Sequence, residues 1–302
     1  MSKLQLSCYK KNGKRLGKQR YKCNDCSYVF ENKRKSSKLQ LDLIWNQYVF
    51  ENQTYTSLSK QYNVSSKTIK RRLDRSIVSK PNLEPGDAVV IMDTTYFRRD
   101  FGVMVFRDHL TKKNLHWRYV KYETIAGYKA GITHLKSLGW NILAIVCDGR
   151  RGIFSSFRDT PVQMCQRHQA AIIRRYITKN PRLDASKELN QLILNLTNHT
   201  KVDFSESLSK WYEKWKTFLN EKTYREDART WHYTHKRLRS AYRSLKTNFP
   251  KLFTYLDYPN LNIPNTTNSI EGCFSNLKTK LRVHSGINRK RKTKIIDEIL
   301  AK

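Results

Sequence analysis

Three acidic residues sit where an acid needs a reason. Asp93 falls within Asp87-Ala-Val-Val-Ile-Met-Asp-Thr-Thr-Tyr-Phe97, an otherwise apolar strand-like run, and an unpaired ionised carboxylate in such a strand costs several kcal/mol. It therefore needs a partner. Asp148 follows the apolar run Asn141–Cys147 in an Asp148-Gly149 pair. It is either a plain turn residue or a carboxylate left facing a cleft at a strand end. Glu271 stands three residues after Asn268, which is capping-box spacing, so it either closes a helix N-terminus or serves a site. Its helix carries an apolar face of Ile270, Phe274, Leu277 and Leu281, with Glu271 on the edge of that face. If the strands bearing Asp93 and Asp148 are neighbours, those two acids converge. Three such acids could hold two divalent ions roughly 3.5 to 4 Å apart, the arrangement used in phosphoryl transfer. Hard oxygen donors select Mg²⁺ or Mn²⁺ over zinc.

The elements around these acids follow from the pattern. Residues 87–97, 101–106 and 115–122 read as three consecutive strands separated by polar turns, Ala126 to Leu138 as a helix, and Asn141 to Cys147 as a buried strand. Three strands, a helix and another strand open an α/β, RNase H-like domain, here expected over 87–302. Residues from about Pro161 to Phe253 are helical in texture, with Trp211, Trp215 and Phe218 on one face. Such a stripe is either core or a stacking surface for unpaired bases. A helical insertion over about 170–262 then separates Asp148 from the final helix, Asn268 to about Val283.

Ahead of this domain lie shorter pieces. Residues 1–35 are basic and turn-rich, with Tyr21, Tyr28, Val29 and Phe30 marking short strands, and read as a small β-hairpin module. Residues 36–78 read as a helix-turn-helix in which Leu58, Tyr62, Val64, Ile69 and Leu73 form the apolar set and Ser65 or Ser66 caps the second helix. That helix would expose Lys67, Lys70, Arg71 and Arg72, as a recognition helix does; an ordinary helical hairpin with a solvated basic face is the alternative. Residues 79–86, with two prolines and a glycine, form a linker.

Composition narrows the partner. The 302 residues include 59 Lys and Arg against 25 Asp and Glu, a formal charge of +34, which calls for a polyanion, by default nucleic acid. Apolar runs fall far short of the roughly 20 residues that span a bilayer, and no secretory-type leader opens the sequence, so the expectation is a cytoplasmic, nucleoid-associated protein with no membrane role. Six scattered cysteines do not make a disulfide framework; Cys23 and Cys26 stand at C-x-x-C spacing.

The order of motifs is similar to a known family. Met92-Asp93-Thr-Thr-Tyr, Cys147-Asp148-Gly149, Val162-Gln-Met-Cys165-Gln-Arg-His168 and Thr267-Asn-Ser-Ile-Glu271-Gly together resemble the Mutator-like transposases of the bacterial insertion sequence 256 family, over roughly residues 85 to 300. The resemblance implies an RNase H-like fold with a helical insertion and a DDE triad of Asp93, Asp148 and Glu271. The Cys165-x-x-His168 pair can be read as metal ligands, but two ligands do not close a site, so a packed Cys and a hydrogen-bonding His near the active site are expected. The stretch from Lys11 to Cys26 resembles the zinc ribbon that precedes the helix-turn-helix in a variant of the family. The ribbon is incomplete here, because Cys8, Cys23 and Cys26 offer three ligands where a structural zinc site uses four.

The function so implied is that of a transposase, which binds the terminal inverted repeats of an element and catalyses Mg²⁺- or Mn²⁺-dependent cleavage and strand transfer into target DNA. It would act as a homo-oligomer on double-stranded DNA. Lys14, Arg15, Lys18 and Arg20 of the hairpin, the recognition helix, and Lys278 and Lys280 beside Glu271 would contact the DNA. A non-catalytic DNA-binding regulator that kept the fold, and an RNase H-like structure-specific nuclease, remain as alternatives.

Overall fold

The computed structural model describes residues 8–31, 38–224 and 230–302. The ends of the expected hairpin module, residues 1–7 and 32–35, lie outside these. The chain divides into two compact units, Met1–Ile77 and Val78–Lys302.

In the first unit, β1 (Tyr9–Arg15), β2 (Lys18–Cys23) and β3 (Val29–Glu31) form an antiparallel sheet in chain order. Arg15 pairs with Lys18, leaving a two-residue turn at Leu16 and Gly17, both at positive φ. Two such residues match the twist of a hairpin, which the glycine makes easy. Tyr9, Tyr21 and Phe30 pack ring against ring on the sheet. Three helices follow: α1 (Lys38–Val49), α2 (Tyr55–Gln61) and α3 (Ser66–Arg75). Thr54 and Ser65 cap the last two by accepting the N–H groups of Ser57 and Thr68, and Ile44, Trp45, Tyr48, Leu58, Ile69 and Leu73 are buried.

In the second unit, β4 (Asp87–Phe97), β5 (Phe101–Asp108) and β6 (Asn114–Val120) form an antiparallel meander. Then α4 (Ile125–Ser137) crosses over to β7 (Asn141–Cys147), which pairs parallel with β4, and β8 (Val162–Met164) adds parallel to β7. The sheet order is β6-β5-β4-β7-β8. The result is a mixed α/β fold with β4 at its centre. One face buries Val90, Met92, Met104, Phe106, Ile142 and Ile145 with Tyr128, Ile132 and Leu135 of α4.

After β8 come α5 (Gln166–Ile177), α6 (Asp184–Leu194), α7 (Lys201–Asn220), a hairpin of β9 (Lys222–Tyr224) and β10 (Trp231–Tyr233), α8 (Lys236–Leu252) and the short α9 (Thr254–Asp257). These helices hold their own core, including Ile173, Leu189, Phe204, Trp211 and Leu245. Trp211 lies in that core, its indole donating to the Ala185 carbonyl; Trp215 donates to Glu188 and Phe218 stacks on His235. The stripe is packing, not a surface for bases. A helical reading of residues 161 to 253 misses β8 and the β9–β10 hairpin, because three-residue strands are too short to show a period of two.

The chain closes with α10 (Asn268–Val283), against β4, and α11 (Arg289–Ala301). Asp297 of α11 accepts from Trp117 and Tyr119 of β6. This last helix begins after Gly286, at positive φ, and is capped by Asn288.

Gly131 of α4 marks the closest approach of helix to sheet, since a Cβ there would fall 1.9 Å from Cζ of the fully buried Phe106. Gly131→Ala is expected to destabilise the fold by about 1–3 kcal/mol through overpacking. A melting temperature equal to or above that of the parent would contradict this packing.

Candidate active site

Two of the three acids reach one place because β4 and β7 are parallel neighbours. Ile91 pairs with Val146, so Asp93 and Asp148 each stand two residues further along adjacent strands. Alternation returns both side chains to the face of that last pair. Backbone N–H groups fix each carboxylate: Thr94 N donates to Asp93 Oδ1 at 2.7 Å, and Arg150 N to Asp148 Oδ1 at 3.1 Å. Gly149, at φ +79°, is in a conformation that a side chain would strain, and a Cβ there would also press on the buried Met164 side chain, 2.4 Å from its Cε.

Burial is the main force on Asp93. It pushes the carboxyl from its ordinary 3.8 up to about 7, with the charges of Asp148 and Glu123 adding to the rise and the Thr94 N–H and His168 opposing it. Glu123, between β6 and α4, is a fourth acid at this place. Its own carboxyl is raised, first by burial and then by Asp148. The sequence signal for Glu123 is weak, since an acid just before the capping Thr124 looks like an ordinary helix-start residue.

Glu271 is held from the other side of the site. The N-cap of α10 is Thr267 and makes no side-chain cap bond, so the capping box expected from Asn268 is not formed. The fully buried Thr267 hydroxyl instead donates to Glu271 Oε1 at 2.9 Å, and lies 3.3 Å from Cys165 Sγ and 3.4 Å from His168 Nδ1. Thr267 N also donates to Cys165 Sγ. One hydroxyl thereby ties the start of α5 to the first turn of α10. Ligand atoms of Cys165, His168 and Glu271 all lie within 4.8 Å of one another, the one such group of three or more among the described residues. Asp93, Asp148 and Glu271 do not all meet that distance.

Charges around the hub reinforce one another. The bond to Cys165 raises His168 to about 9, and Asp93 and Glu271 act in the same direction against desolvation. Burial alone would raise the Cys165 thiol, yet bonds from His168 and Thr267 outweigh it and bring the thiol below its ordinary value. His168 is thus a cation facing both Asp93 and Glu271.

The basic residues singled out by sequence are distributed unevenly. Lys14, Arg15 and Lys18 are exposed on the hairpin, whereas Arg20 is half-buried with Nε enclosed and unpartnered. On α3, Lys67, Lys70 and Arg71 form an exposed stripe opposite Ile69 and Leu73, while Arg72 turns inward with a buried Nη1. Lys278 is exposed and Lys280 half-buried on α10. Backbone N–H groups of Cys26 and Asp25 point at Cys23 Sγ and lower its thiol below the ordinary value. Cys8, Cys23 and Cys26 do not come together as a three-ligand group, so they do not fit a zinc site as they stand. No described helix is long and apolar enough to cross a membrane.

No family model matches the chain, and no curated protein matches it. Among solved structures, a chain in the cryo-EM structure of a simian T-cell lymphotropic virus intasome in complex with PP2A regulatory subunit B56 gamma aligns over 67% of this chain and 68% of its own, with 9% identity and a TM-score of 0.23. A likeness that slight bears on neither fold nor function.

Asp93 makes stability depend on pH. Its carboxyl titrates at about 7 in the fold against 3.8 ordinarily, so between those values the native state binds more protons than the unfolded chain. Stability therefore falls as pH rises through this window, and the full penalty stands above it. In EDTA, Asp93→Asn should melt higher than the parent at about pH 8, and the difference should shrink toward about pH 4. Equal melting curves at the higher pH would rule out the buried charge.

Proposed function

We propose that this chain is a DNA transposase of the Mutator-like, insertion sequence 256 type, with an RNase H-like catalytic unit. The observation that carries the reading is the placement of Asp93 within β4 and of Asp148 directly after its parallel neighbour β7, with Glu271 presented by the helix that packs on β4. A strand meander, a crossover helix and two further parallel strands also support an RNase H-like assignment.

The three acids are of the type a hard divalent cation takes, and because they do not all lie within 4.8 Å of one another they would have to close in around it. Asp93, Asp148 and Glu271 supply carboxylate oxygens, and the Asp93 carboxyl is raised mainly by burial, a cost that a bound cation would offset. These three residues would hold Mg²⁺ or Mn²⁺, which when bound stabilises charge on the phosphoryl oxygens and lowers the pKa of an attacking hydroxyl. The chain's own part is to orient Asp93 within β4 and Asp148 just after β7, and to hold Glu271 through Thr267, Cys165 and His168. The reaction is a pair of in-line displacements. Water first opens a phosphodiester at an element end and frees a 3′-hydroxyl, which then attacks a second phosphodiester and expels its 3′-oxygen.

Binding to the terminal repeats falls to α3 and the basic hairpin, and the net charge of +34 supports nonspecific attraction to the phosphate backbone. Two ends must be joined in one event, which calls for a dimer or larger assembly on DNA.

Strand transfer on labelled repeat DNA with Mg²⁺ tests the chemistry. Asp93→Asn, Asp148→Asn and Glu271→Gln should each lower the rate at least ~100-fold, because losing a ligand should exceed the cost of losing its supporting partners. Full activity in Asp93→Asn would sink the assignment. Activity on branched DNA without regard to repeat sequence would instead mark a structure-specific nuclease.

Salt dependence tests the DNA surface separately. Lys67→Ala, Lys70→Ala and Arg71→Ala should each reduce the slope of log affinity against log salt by about 0.9 if each residue neutralises one phosphate. Arg72→Ala should leave that slope unchanged because its head group turns inward. An equal slope change at all four positions would argue against the exposed stripe as the contact face.

A further inference from the structure

The acids of β4 and β7 are joined by more than their strands. Thr94, whose N–H holds Asp93, has its hydroxyl 2.9 Å from Tyr128 OH. Tyr128 OH donates to Glu123 Oε1 at 2.9 Å; it has one proton, so the Thr94 hydroxyl must be the donor toward it. Glu123 Oε2 pairs with Arg150 Nη1 at 3.2 Å, and Arg150 N holds Asp148 Oδ1. A continuous path of Thr94, Tyr128, Glu123 and Arg150 thus runs from one acid to the other.

We propose that Glu123 and Tyr128 are positioning residues that fix the separation of Asp93 and Asp148 and thereby set the affinity of the pair for divalent cations. This rests on the catalytic reading of those two acids. An exposed ion pair would be worth little, and Arg150 is 42% exposed, but the Glu123 side chain is only 15% exposed and both of its oxygens are held. Tyr128 binds one oxygen, Arg150 the other, and the Glu123 backbone N–H donates to Tyr96 OH at 2.7 Å. Tyr128 is itself anchored, with its ring buried against Phe106 in the sheet core. The anchor is therefore rigid, and its hydroxyl transmits the position of α4 to both acids.

The test is Mn²⁺ binding to the full chain, read as free Mn²⁺ by electron paramagnetic resonance, with melting temperature recorded in EDTA. E123Q and Y128F should each weaken Mn²⁺ binding roughly 10-fold or more, in the range typical of residues that orient metal ligands. The double variant should be no weaker than the worse single one, because both break the same path. Y128F removes a single oxygen and leaves the ring in place, so it decides the matter if E123Q fails to fold. A lowered melting temperature with parental Mn²⁺ affinity in both variants is the outcome of a purely structural role and overturns the inference. If, in that case, Asp93→Asn still loses Mn²⁺, the catalytic reading stands without it; if Asp93→Asn binds as the parent does, that reading fails as well.

Discussion

A half-buried carboxylate in the central strand governs much of the second unit. Asp93 is only partly open to solvent, and the fold gives it an N–H from Thr94 and the neighbouring imidazole of His168. Even so its carboxyl titrates near neutrality. A scaffold that needed only stability would place an apolar residue there, as the neighbouring positions Met92 and Ile91 do. The retained charge is therefore the feature to explain, and the parallel pairing of β4 with β7 is what sets Asp148 beside it.

Glu271 is brought to this place by a different device. A body of helices with its own core lies between β8 and α10, so strand pairing cannot position this acid. The Thr267 hydroxyl takes over that task by linking the start of α5 to the first turn of α10, while the Asn265 carbonyl accepts from Gln166 N nearby. Both ends of the insertion are thereby tied at one point. Its interior can then vary in length without moving Glu271, provided those two ties hold.

The sequence is most readable where a regular period extends over several residues. The meander, α4 and β7 can be placed because β4 and β7 are long and apolar, and Ser65 is one of two candidate caps because it precedes a helical stripe. Arg72 looks like its three basic neighbours in sequence, and only packing distinguishes it as the one that turns inward. Glu123 gives no comparable signal because its importance lies in contacts with Tyr128 and Arg150, which only the folded strand–helix junction brings together. The capping box at Asn268 has the right spacing and the wrong register, since the helix starts at Asn268 itself and Thr267 is the cap.

The sign of the local charge ties these pieces together. The chain carries +34 overall, yet Asp93, Asp148 and Glu123 act on one another as like charges in one pocket. A phosphodiester drawn in by the basic surface would be repelled at the last step by those acids. On the proposed reading, cation and DNA therefore assist each other: a divalent ion removes the repulsion that the phosphate meets, and the phosphate adds oxygen ligands that the acids alone do not supply. Linkage makes that coupling reciprocal.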